Sequence, residues 1–145
     1  MAISVGQVVK SFASNELESN YFLLGNDSFL QNFFVSSLKK KLSFNQRAVY
    51  LNLKDDSDVD YLIEQLNALS LFSSKNILVV RNFNHLSKKN ESLIDLFIKR
   101  KKTEIILVFI LEDYRIKNKF SKYIADQSIL IDVQTPFYTK KIKEW

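Results

Sequence analysis

Short apolar runs alternate with stretches of helical spacing along the whole chain. The run at residues 21–24 ends at Gly25 and predicts a buried strand. Four more strands are predicted, at residues 48–53, 76–81, 104–111 and 128–133. Helices are predicted at about residues 5–12, 29–42, 58–69, 90–102 and 116–125. This alternation predicts a three-layer α/β fold, in which a mostly parallel five-stranded sheet carries helices on both faces.

Length and composition favour one folded domain over residues 1–145. The chain is 46% hydrophobic and 13% aromatic, which supplies ample material for a core. It has no cysteine, which excludes disulfides and thiolate metal sites. The longest apolar run, residues 105–111, is too short for a membrane helix of about 20 residues. Residues 1–14 contain no secretory signal pattern. We therefore expect a cytoplasmic, monomeric domain without membrane contact.

Seven of the 21 basic residues lie in two runs. The net charge is +5, and Lys39–Lys41 and residues 99–102 each end a predicted helix. Cations at a helix C-terminus interact favourably with the helix dipole, which is the structural interpretation of both runs. The alternative is a direct DNA-binding domain in which these runs contact phosphates.

The turn after the first strand has the setting of a phosphate-binding loop but not its residues. Such a loop requires G-x-x-x-x-G-K-[ST], whereas residues 25–32 read GNDSFLQN. The second glycine, the lysine and the hydroxyl residue are missing, and Asp27 is better interpreted as a helix cap. We therefore expect no bound cofactor. A divergent nucleotide-binding enzyme remains the alternative.

Other sites of catalysis or metal binding are weakly supported. Glu112 and Asp113 follow a strand, but acidic residues there more often solvate a loop. His85 is the single histidine, and without a second histidine or a cysteine it does not predict a zinc site or a catalytic triad. We expect neither a metal nor a catalytic residue.

Two large apolar residues do not fit the helix that precedes them. The buried stripe of this helix consists of Val59, Leu62, Ile63 and Leu66. At 100° per residue, Leu71 and Phe72 lie about 120–140° from its centre, and serines surround them. Either they are exposed and insert into a binding partner as an apolar plug, or the chain turns and buries them in the core under the sheet.

Three segments together resemble the delta subunit family of bacterial DNA polymerase III. The first is YFLLGND at residues 21–27, the second is LSLFSS at residues 69–74 before a strand, and the third is QTP at residues 134–136. The spacing of all three is similar to that of the family, and the resemblance covers essentially the whole chain.

The resemblance implies an AAA+-like (P-loop NTPase-like) N-terminal domain without a functional nucleotide site. It implies a non-catalytic clamp-loader component, accessory to a DNA-directed DNA polymerase, which binds the sliding (beta) clamp and opens it for loading. The family's helical second domain and collar domain, through which other loader subunits assemble, are expected to be absent. DNA would be contacted only indirectly. The clamp-binding residues implied by the resemblance are Leu69, Ser70, Leu71, Phe72 and Ser73, with Gln65 as a neighbour.

Overall fold

Continuous apolar stretches form the central strands of a single parallel sheet. The computed structural model describes residues 3–13, 17–42, 48–54, 57–69, 76–86, 90–99, 105–112 and 115–134. The strands are β1 (Ile3–Ser4), β2 (Asn20–Leu24), β3 (Ala48–Asn52), β4 (Asn76–Arg81), β5 (Ile105–Leu111) and β6 (Ile129–Asp132). The helices are α1 (Val5–Ser11), α2 (Ser28–Leu42), α3 (Ser57–Leu69), α4 (Asn90–Lys99) and α5 (Lys119–Asp126), with a 3-10 helix at Phe83–His85.

The strands lie side by side in the order β1-β6-β2-β5-β4-β3, and every pair is parallel. Because β2 and β5 are central, their side chains are covered on both faces. All seven residues of β5 are buried, which explains its unbroken apolar sequence. The prediction of a parallel α/β sheet is confirmed.

The expected number of five strands is wrong, because β1 adds a sixth strand at one edge. Ile3 pairs with Ile131 and Ser4 with Asp132 in the register of β1 with β6. A strand of two residues has no periodicity to detect. Ser4 also ends this strand by capping α1, since its hydroxyl and the Gln7 side chain form a reciprocal capping box.

The start of α5 also differs from its expected position, by three residues. Asn118 takes an extended conformation, and its Oδ1 accepts a hydrogen bond from the Ser121 amide at 2.8 Å. This side-chain cap begins the helix at Lys119 rather than at residue 116.

The sheet separates two apolar cores, each covered by its own helices. In β2, Tyr21 and Leu23 face one core, whereas Phe22 and Leu24 face the other. Helices α1 and α2 cover the first face, and α3, α4 and α5 cover the second. The structure therefore has the three layers that the sequence predicts. In the described ranges, no helix is long and apolar enough to cross a bilayer.

Candidate functional site

The turn between β2 and α2 has the strand–glycine–helix setting of a phosphate-binding loop. Gly25 has a φ of +137°, a conformation that side-chain-bearing residues rarely adopt. Its amide donates to the carbonyl of Leu111 at 2.9 Å. Its carbonyl accepts from Nε2 of Gln31, a side chain only 1% exposed, at 2.8 Å. Both main-chain groups of this glycine are thus paired inside the protein.

The segment after β6 lies directly against this turn. The Val133 amide donates to the carbonyl of Leu24 at 2.8 Å, and the Val133 carbonyl accepts from the Asp27 amide at 3.0 Å. A Cβ placed on Gly25 would lie 2.4 Å from the carbonyl carbon of Val133. The main chain of Val133 therefore lies on the inner side of the turn, and the Asp27 amide is hydrogen-bonded to it.

Asp27 caps α2, as its sequence position predicts. Its Oδ1 accepts from the Leu30 amide at 3.1 Å, and its carbonyl accepts from the Gln31 amide at 3.0 Å. A carboxylate at the helix N-terminus is stabilised by the dipole, and it repels a phosphate brought to the same place. The capping interpretation is confirmed.

The carboxyl edge of the sheet also carries a polar cluster. Arg81 Nη1 lies 2.7 Å from Oε1 of Glu112, and the side-chain Nδ2 of Asn82 donates to Oδ1 of Asn52. Glu112 is thus engaged in an ion pair, whereas Asp113 lies outside the described residues. The described ranges contain no group of three histidine, cysteine or acidic residues that could hold a metal ion. His85 ends the 3-10 helix, and its side chain is outside what the structure describes.

Three asparagines tie the 3-10 helix to the starts of α4 and α5, and sequence reasoning missed them as a group. Asn84 donates to the carbonyl of Arg115 at 2.7 Å. Asn118 donates to the carbonyls of Phe83 and Leu86, both at 2.8 Å. Asn90 donates to the same Leu86 carbonyl and accepts from the amide of Phe120. The detectable signal was an asparagine at the starts of α4 and α5, Asn90 and Asn118, but the sequence does not reveal that they share a partner.

Helix α3 buries the stripe that the sequence predicts. Val59, Leu62 and Leu66 are buried, and Ile63 packs partly buried against the same core. Gln65 is half-buried on the flank of this stripe. The face of α3 that packs against the core is therefore the one predicted from the sequence.

The implied clamp-binding residues begin where α3 ends. Leu69 is the last residue of α3, and its side chain is not among those described. Ser70, Leu71, Phe72 and Ser73 lie outside the described residues. The structure thus places Gln65 and the main chain of Leu69 on one helix, and the choice between plug and core for Leu71 and Phe72 stays a prediction.

Helix α3 ends, and β4 begins, at the amino edge of the sheet. Strands β3 and β4 are parallel neighbours, so α3 between them runs back toward the edge at which β4 starts. Gly25 lies at the opposite, carboxyl edge, after β2. The last residue of α3 and the turn at Gly25 are therefore at opposite edges of the sheet.

The basic run of α2 lies in its last turn, as predicted from the sequence. Lys39, Lys40 and Lys41 all belong to this turn. Nζ of Lys39 lies 5.8 Å from the centroid of the Tyr50 ring, within cation–π range. In the second run, Lys99 ends α4, and residues 100–102 are outside the described ranges.

Comparison with known proteins matches this architecture. The family described as DNA polymerase III, delta subunit, matches residues 21–134. The chain is similar in structure to the Bacillus subtilis DNA clamp loader delta protein, with a TM-score of 0.71 and 15% identity over 97% of this chain and 45% of that one. It is also similar to a DNA polymerase III gamma subunit-related protein from Thermotoga maritima, with a TM-score of 0.64 and 11% identity over 98% and 50%. No curated relative matches it in sequence. The chain spans about half the length of these two structures.

Proposed function

The chain belongs to the DNA polymerase III delta subunit family, and from this membership we propose that it is the clamp-binding module of a clamp loader. The observation that carries the proposal is the family match over residues 21–134, on a fold shared with a clamp loader delta protein. The family is an accessory component of the polymerase III holoenzyme. The partners of this chain would be the sliding clamp and, in a longer protein, other loader subunits in the cytoplasm.

We propose that Leu71 and Phe72 form the principal contact, with Leu69, Ser70 and Ser73 beside them. The packing of α3 supports this assignment, because its buried stripe is already formed by Val59, Leu62 and Leu66. Gln65, half-buried on the same helix, would flank the contact. Two apolar side chains among serines suit an anchor that must be exposed before it binds.

The clamp would be opened by differential binding. A module that binds the open ring more tightly than the closed ring shifts the equilibrium toward the open ring by the difference in binding free energy. No bond is made or broken in such a step, so the module needs no catalytic group. ATP would act through other subunits of the loader.

The turn at Gly25 supports a module that does not use nucleotide. The amides of Gly25 and Asp27 donate to Leu111 and Val133, so they are occupied within the protein. A phosphate would have to displace Val133 and approach the carboxylate of Asp27. This arrangement favours the clamp-binding proposal over a nucleotide-dependent enzyme.

The test is the double substitution Leu71→Ala with Phe72→Ala, measured as affinity for the matching sliding clamp in a pull-down or surface-binding assay. Burial of each side chain is worth roughly 1.5–3 kcal/mol, so the double variant should bind on the order of 100-fold more weakly or worse. Its melting temperature should match that of the parent. Phe29→Ala is the control, because Phe29 is 73% exposed in the first turn of α2, on the other face of the sheet from α3, and should not change affinity.

Either of two results contradicts the assignment. If the double variant melts well below the parent, the two residues belong to the core. If it folds normally and binds the clamp at full strength, the contact lies elsewhere on the domain.

A further inference from the structure

Helix α2 carries an exposed stripe that does not pack on the core. Phe29 is 73% exposed and Phe33 is 43% exposed, and their rings are stacked with centroids 6.5 Å apart. Ser36 and Lys40 are exposed on the same face, because positions i, i+4, i+7 and i+11 of a helix lie within about 60° of one another. The buried residues of α2 lie on the opposite side of the helix. The stripe is therefore available to a partner.

The two ends of this stripe carry opposite charges. Asp27 precedes α2, and its half-buried carboxylate lies at the helix N-terminus. Lys40 is exposed in the last turn, about 20 Å from Asp27 at 1.5 Å per residue. Residues 28–38 between them contain no charged side chain. Nζ of Lys39 lies 5.8 Å from the centroid of the Tyr50 ring, so Lys40 is the lysine that extends the stripe.

A stripe with this order of groups is complementary to itself when two copies meet in antiparallel orientation. We propose that α2 packs against α2 of a second copy of this chain, about a two-fold axis that passes beside Phe33. Asp27 then faces Lys40 of the second copy, and symmetry forms this ion pair twice. Phe33 packs against its own counterpart at the axis. Phe29 lies between Ser36 and Lys40 of the second copy, where the lysine methylenes cover its ring.

The charges of α2 decide the relative direction of the two helices. Parallel copies would bring the three lysines of one last turn beside those of the other, and the two Asp27 carboxylates together. Antiparallel copies separate these like charges and oppose the two helix dipoles.

The proposed dimer surface is distinct from the proposed clamp contact. Helix α2 covers one face of the sheet and α3 the other, so a second copy on α2 leaves the end of α3 free. A dimer differs from the monomer expected from the sequence, because the stacking of Phe29 on Phe33 is visible only in the structure.

Sedimentation velocity of the 145-residue chain over a range of concentrations tests the proposal. The parent should form a dimer whose fraction rises with concentration. Phe29→Ser should raise the dimer Kd on the order of 100-fold, because both copies lose the ring. Ile98→Ser is the control and should leave the Kd unchanged, since Ile98 is 61% exposed on α4, on the other face of the sheet. If Phe29→Ser does not fold, Phe33→Ser provides the same measurement.

Two charge-removing variants test the ends of the stripe. Asparagine also caps helices, so Asp27→Asn removes the charge and keeps the cap. Asp27→Asn and Lys40→Gln should each raise the dimer Kd about three- to tenfold, and together no more than the stronger of the two, because both remove the same ion pairs. Lys41→Gln is the matched control, since Lys41 lies about 100° around the helix from Lys40, and it should change the Kd less than about twofold.

Three results would overturn the proposal. One is a parent that stays monomeric up to millimolar concentration, and another is a dimer that Phe29→Ser leaves intact. The third is a pair of additive losses for Asp27→Asn and Lys40→Gln, which would show that the two side chains do not face each other in the dimer.

Discussion

The main chain of Val133 occupies the space that a side chain on Gly25 would need. The Val133 carbonyl oxygen would lie 2.6 Å from a Cβ on this glycine, and the Gln134 amide nitrogen would lie 2.4 Å away. Both neighbours are backbone atoms held in place by the hydrogen bonds of Val133 to Leu24 and Asp27. The turn after β2 and the end of the last strand are therefore joined by main-chain contacts and hydrogen bonds.

Gly25→Ala should destabilise the domain by about 2–6 kcal/mol. The strained φ of +137° contributes about 1–3 kcal/mol, and the overlap with Val133 adds a similar amount. Urea denaturation measures the change. Gly6→Ala is the control, because no atom lies within 4 Å of its added Cβ and it lies in α1, where alanine stabilises by up to about 1 kcal/mol. Equal midpoints for the two variants would contradict this account.

The chain should not bind ATP. Its turn lacks the lysine and the second glycine of a phosphate loop. The Asp27 amide already donates a hydrogen bond to the carbonyl of Val133. Calorimetric titration with ATP and Mg²⁺ should give no heat beyond dilution. A binding isotherm with a micromolar Kd would show that the turn opens to admit phosphate.

Asn90→Ala should cost about 2–4 kcal/mol of unfolding free energy. Asn90 is 8% exposed, and its side chain donates to the Leu86 carbonyl and accepts from the Phe120 amide. The substitution removes one hydrogen bond from that carbonyl and leaves the buried Phe120 amide without this acceptor. Asn32→Ala on the exposed face of α2 is the control and should change stability by no more than about 0.5 kcal/mol. Similar losses for the two variants would mean that the asparagine network is not what secures the start of α5.

Ser121→Ala should raise stability by about 0.5–1 kcal/mol. Its Oγ is fully buried, and within the described structure it has no hydrogen-bond partner, so the hydroxyl is desolvated without compensation. Ser128→Ala should act in the opposite direction, since that hydroxyl donates to the Ile124 carbonyl at 2.6 Å. Thermal denaturation of both variants provides the comparison, and a loss of stability in Ser121→Ala would indicate a partner for this hydroxyl.

Features that depend on local periodicity could be predicted from the amino-acid sequence alone. The apolar run of β5 indicated a strand buried on both faces, and all of its residues are buried. The spacing of Val59, Leu62 and Leu66 identified the face of α3 that packs on the core. Asp27 could be recognised as a cap because a cap contacts an amide only three residues away. The motifs at residues 21–27 and 69–74 also indicated the family.

Contacts between segments that are distant along the chain could be seen only in the folded structure. The pairing of β1 with β6, the contact of Val133 with Gly25 and the asparagine network join residues that are far apart along the chain. None of these contacts produces a repeat in the sequence, because each depends on strand order and register, which are fixed only when the whole sheet assembles. The sequence could therefore show that the turn after β2 lacks the residues of a phosphate loop, whereas only the folded chain shows that the main chain of Val133 lies against this turn.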